Sequence, residues 1–182
     1  MTIRAGFEDD SPTRRACAVA ACAAGLFFTH QPAARADLSD ADRDFVKQAT
    51  EEVIGDASIN RIARDKGEHD EVRHYAADRV HLDEKLELEL RDIAGRHHIS
   101  VPGKDELAKD AKDRLQSIQS SAHFDHDYLS GELRDTTEMA KLFKSASDGE
   151  SDPELRTWFA GKLDTLRDSR DKVKTLDDQF DK

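Results

Sequence analysis

The chain has 182 residues, 37% of them hydrophobic and 37% charged, and a formal charge of -11. That length suits one domain with a real core and is short for two. A surface so acidic repels phosphate backbones, which argues against nucleic acid as a partner; its plain role is to keep the protein soluble.

The first element is an address label. Arg14 and Arg15 form a basic n-region, Ala16 to Thr29 an apolar run, and Ala34-Arg35-Ala36 a small-x-small cleavage site before Asp37. The run is too short for a permanent membrane helix, which needs about 20 apolar residues. Residues 1–36 are therefore expected to be a cleaved secretory signal, and residues 37–182 a single exported domain of the periplasm with no transmembrane segment. The Arg14-Arg15 pair faintly resembles a twin-arginine signal, but Cys17 stands where that motif prefers a bulky apolar residue, which favours general export. "VAAC", Val19 to Cys22, resembles a lipoprotein box and leaves membrane association through Cys22 as the alternative, although the apolar run continues to Phe28. Both cysteines fall in this segment, so the mature chain needs no disulfide, nucleophilic cysteine or thiolate metal site.

The spacing after Leu38 predicts helices. The first starts at Ser39 as N-cap with Asp42 three residues on, carries Phe45, Ala49, Val53 and Ala63 on one face, and stops at Gly67. The second runs from about His69 to about His97. Within it, "RVHLDEKLELEL" alternates like a strand, but at about 100° per residue Val72, Tyr75, Ala76, Arg79, Asp83, Leu86, Leu90 and Ile93 share one stripe, which a strand cannot explain. The helical phase leaves Leu88 exposed. Pro102 and Gly103 break the pattern, and a short helix from about Asp105 to Ser117 belongs to the connection; its internal "KDEL" is not a retention address. A third helix, about Ala122 to Ser145, turns Phe124, Tyr128, Met139 and Leu142 inward. The fourth starts near Asp152 with Pro153 in its first turn and buries Leu155, Trp158, Phe159, Leu163, Leu166, Val173 and Leu176. The expected architecture is an all-α helical bundle.

The phrases "DRDFVKQATEEVIGDASINRIA", "EVRHYAADRV", "FDHDYLSGEL", "MAKLFKSAS" and "DPELRTWFAGKLDTLRDSRDKV" make the chain resemble an exported bacterial family of unknown function, labelled predicted outer membrane protein. The resemblance spans about Leu38 to Val173 and implies a ferritin-like four-helix bundle. It also implies an Asp-His pair in helix two, another in helix three and a His in helix four. Those positions fall on Leu82-Asp83, Asp135-Thr136 and Ser169, so all three histidines are replaced.

A ferritin-like di-metal centre needs a Glu from each of two helices and Glu-x-x-His from the other two. The chain has one such phrase, Glu71 to His74, and no histidine in helix four. His74, Asp78 and His81 cluster opposite the apolar stripe and should face water, as should His97 and His98; His123-x-x-His126 is a weak metal pattern. The phase instead turns charges inward: Asp56, Arg79, Asp83, Glu132, Asp135, Ser169 and Arg170. Buried carboxylates must be paired, so these groups are expected to form a polar network with both arginines, unless the ends splay and hydrate them. Asp56, Asp83, Glu132 and Asp135 could otherwise hold a hard cation such as Ca²⁺ or Mg²⁺, against which Arg79 and Arg170 argue. No nucleophile elbow, phosphate-cradling glycine loop or metalloprotease motif appears. The expected function is therefore that of a non-catalytic, cofactor-free envelope protein with an interaction or stress role and an envelope protein as partner. The alternative is a ferritin-like metal-binding or redox protein.

Overall fold

A computed structural model describes residues 37–103, 105–107, 116, 118–149 and 152–180. The expected signal segment 1–36, with Cys17 and Cys22, lies outside these residues. Four long helices carry the described chain: α1 Asp40–Lys66, α2 Asp70–Arg96, α3 Phe124–Asp148 and α4 Pro153–Phe180. No strand occurs among the described residues, so the Leu-Glu alternation is helical and Leu88 is indeed exposed.

Local chemistry sets the ends. Ser39 Oγ accepts the Asp42 N–H, the expected N-cap. Gly67 caps α1 with its N–H on the Ala63 carbonyl oxygen, so close that a Cβ there would stand 2.9 Å from that oxygen. The end of α2 falls where the spacing placed it, at about His97: His97 caps it and His98 takes the left-handed conformation, φ 53°. In the connection, the Leu107 N–H bonds to the Gly103 carbonyl and residues 105–107 are helical, while 108–115, the body of the expected short helix, lie outside the described residues.

The directions of the helices follow from contacts between their ends. Asp125, at the start of α3, accepts the backbone N–H groups of Glu68 and His69 at 2.9 Å each, so α2 and α3 begin at the same end and run parallel. At the other end Asp42 Oδ2 accepts the Asp152 N–H, and Arg43 Nη1 donates to the His97 carbonyl. The order is thus up-down-down-up. α1 packs on α2 and α3 on α4 as antiparallel hairpins, α1 also touches α3, and α2 touches α4 more loosely.

The interior divides along this axis. At the end where α1 starts, Val46, Ala49, Val53, Leu86, Leu90, Phe143, Phe159 and Leu166 form one apolar cluster. At the other, Ile59, Ala63, Val72, Tyr75, Phe124, Tyr128, Leu129 and Val173 form a second. Between them lies a layer of buried charge.

A candidate site at the buried arginine

Arg79 projects from the middle of α2 and is 1% exposed. Its Nε donates to Glu132 Oε1 of α3 at 2.7 Å, and its Nη2 donates to Asp56 Oδ2 of α1 at 2.6 Å. Nη2 also lies 3.1 Å from Asp83 Oδ1, one turn along α2. Three carboxylates from three helices thus surround one guanidinium, all of them buried. A second tier completes them. Asn60 Nδ2 donates to Asp83 Oδ2 at 2.9 Å, Tyr128 Oη donates to Asn60 Oδ1 at 2.8 Å, and Tyr75 Oη and Thr136 Oγ1 each donate to Glu132 Oε1 at 3.2 Å. Within the cluster Arg79 Nη1, Asp83 Oδ1 and Glu132 Oε2 have no hydrogen-bond partner.

Electrostatics follow from this crowding. Burial, reinforced by Glu132, pushes the Asp56 carboxyl well above the ordinary carboxylate range despite the nearby guanidinium. Burial likewise raises Asp83 to about 7, against the pull of Arg79. Burial opposes the Arg79 charge, but Asp83, Glu132 and Asp56 outweigh it and hold its pKa above the usual arginine value. Burial and then Glu132 raise Tyr75 and Tyr128, which remain protonated donors. Burial thus works against full ionisation of Asp56 and Asp83 around the single guanidinium.

Of the seven residues the phase turned inward, the structure brings four together: Asp56, Arg79, Asp83 and Glu132. Three depart from expectation. Asp135 is half-buried at the edge of the α3 stripe and lies 3.3 Å from Arg134 Nε instead of Arg79. Ser169 contributes only its backbone carbonyl, 3.4 Å from Tyr75 Oη. Arg170 shares the phase of Leu163, Leu166 and Val173, yet its long stem carries the guanidinium outward to Asp171 at 2.7 Å, so it does not meet Asp83. A four-carboxylate cation site including Asp135 is therefore not assembled. His74, Asp78, His81, His98 and His123 are exposed, whereas His97, expected in water, is buried where its carbonyl meets Arg43. Among the described residues no three His, Cys, Asp or Glu side chains are arranged to hold a metal ion. Sequence reasoning did not place Asn60, Thr136 or the hydroxyls of Tyr75 and Tyr128 in the network, although the resemblance had marked Thr136 as the position of a replaced histidine. The tyrosines read as apolar stripe positions, and Asn60, one turn beyond Asp56, carried a legible polar signal.

The pattern of the family described as Domain of unknown function (DUF4142) matches residues 28–176. The chain belongs to this family. No curated protein and no solved structure matches it. No described helix of this DUF4142 protein is long and apolar enough to cross a membrane.

Proposed function

We propose that this DUF4142 protein is an exported, non-catalytic four-helix bundle of the ferritin-like type that acts in the bacterial envelope as an interaction or stress-associated protein. The single long crossover and the pair of antiparallel hairpins support that fold type. The observation that carries the function is the place of Arg79. Ferritin-like metal proteins gather carboxylates and histidines from all four helices at mid-bundle. Here Asp56, Asp83 and Glu132 come from three helices, no histidine joins them, and the guanidinium ion-pairs with all three. A cation built into the chain stands where a metal pair would need its ligands free, so the residues present do not fit a di-metal centre. What the cluster does is fix how three of the four amphipathic helices meet, since each misalignment would strand a buried charge.

The full chain, expressed without a histidine tag and recovered from cell envelopes, is expected to carry well under one equivalent of iron, manganese or zinc and a new N-terminus at Asp37. Stoichiometric metal that disappears in Asp83→Ala would overturn the non-metal reading. An uncut protein retained in the cytoplasm would overturn export.

A further inference from the structure

α2 carries a second stripe, on the side turned away from the core. Leu88 lies nine residues beyond Arg79, half a turn round the helix at about 100° per residue, and among the described residues it is the large apolar side chain left exposed, at 72%. A lone exposed leucine is ordinary on a protein surface; the neighbours of this one set it apart. Within about 60° of it on the helix stand His81, Glu84, Lys85, Arg91, Asp92 and Gly95, all exposed except the half-buried Arg91. They fall on two sides. Lys85 and Asp92 flank Leu88 towards α4, where Asp92 and Leu88 line a cavity of about 410 Å³ with Trp158. Glu84 and Arg91 flank it towards α1, where Glu84 reaches Arg61. On each side the two charges are opposite in sign and seven residues apart, about 10 Å, too far to pair within one helix.

From this arrangement we propose that the outer face of α2 binds a second copy of the chain, the two α2 helices packing antiparallel about a two-fold axis at Leu88. Such an axis keeps each flank of the helix against the same flank of its copy and sets every residue before Leu88 against one an equal distance after it. Lys85, three before, then meets Asp92 of the partner subunit, four after; Glu84, four before, meets Arg91 of the partner subunit, three after. The one-residue offset is about 1.5 Å along the axis, within reach of these side chains. Four ion pairs thus surround the two leucines, and each Leu88 has the cavity beside Trp158 in which to pack. Exposed ion pairs add little affinity, but they select register and orientation. A parallel pair would match the same charges, Lys85 against Glu84 and Asp92 against Arg91, but would set His81 against its own copy. In the antiparallel pair His81, seven before Leu88, faces Gly95, seven after, where a Cβ would meet nothing within 4 Å. One helix face buries less than the roughly 1,200 Å² of a stable interface, so the dimer is weak, with a dissociation constant on the order of 0.1 mM. Because the contact is isologous it uses up the face and closes the assembly at two copies. The face lies on the far side of α2 from Arg79, and the inference depends neither on the reading of that cluster nor on export.

The test is sedimentation equilibrium of the full chain in reducing buffer, from about 10 μM to about 1 mM, a span that brackets the expected constant. A monomer–dimer equilibrium with no larger species is expected. Leu88→Glu, which sets two carboxylates at the axis, is expected to weaken the dimer at least about tenfold and, at an exposed position, to leave the helical circular dichroism unchanged. Lys85→Glu and Asp92→Lys are each expected to weaken it about threefold, and the two together in one chain to restore it. In a parallel pair the double exchange would bring like charges together and restore nothing. A chain that stays monomeric throughout the range, association that survives Leu88→Glu, or a double exchange that fails to restore the dimer would each overturn the proposal.

Discussion

Asp83 shows how a single buried carboxyl couples this protein to pH. Its value rises from the ordinary 3.8 to about 7 on folding, chiefly through burial. A group whose pKa is higher in the folded state contributes stability that is complete below the unfolded value and is lost as pH rises through the folded one. The urea midpoint is therefore expected to fall between about pH 4 and about pH 7, and Asp83→Asn, which can still accept from Asn60, is expected to flatten that fall. A midpoint that climbs over the same range would contradict the account. The inward position of Asp83 was legible in the sequence because it shares the phase of Leu86, Leu90 and Arg79; periodicity assigns a face without knowing what occupies it. Phase alone failed for Arg170, because a side chain with a long flexible stem can begin on the buried face and end in water. It failed for Asn60 and Thr136 because small polar residues on a stripe look the same whether they bond across the core or to their own helix.

Helix boundaries repeat the lesson at the next scale. Ser39, Gly67 and Pro153 announce their ends by local chemistry, and the observed helices begin or stop within a residue of them. The start of α2 carries no such signal. His69 occupies the N-cap without a side-chain cap bond, and its place is taken by Asp125, 56 residues away, which accepts two backbone N–H groups and stands 2.8 Å from His69 Nδ1. No local rule could find this cap, since the acceptor belongs to another helix. Asp125→Ala leaves those donors without their carboxylate and is expected to cost about 1–2 kcal/mol, read from the urea midpoint, with hydrogen exchange accelerated first at Glu68 and His69. Equal protection of these amides in the variant would show that water replaces the carboxylate at no cost. The same link sets the parallel course of α2 and α3, so a helix cap here also determines chain direction.

For the whole molecule, the charged layer separates two apolar clusters that would otherwise be one core. Buried ion clusters add little net stability, because desolvation offsets most of their attraction, yet removing one partner is severe. Arg79→Met alone is expected to cost about 3–5 kcal/mol near neutral pH, whereas Arg79→Met combined with Asp56→Leu, Asp83→Leu and Glu132→Met is expected to be as stable as the parent or more so. Chemical denaturation of the two variants checks the contrast, and a combined variant less stable than the single one would refute it. The overall architecture was readable from amphipathic spacing, while the division of its interior was not, because it depends on which helices meet at Arg79. One more consequence concerns the aromatic residues. The sole tryptophan, Trp158, packs against the first cluster beside Phe143 and Phe159, and both tyrosines, Tyr75 and Tyr128, belong to the second. The protein therefore carries its own pair of optical labels, one chromophore type in each half. Indole emission and phenol absorbance followed in one melt would reveal whether the halves come apart together.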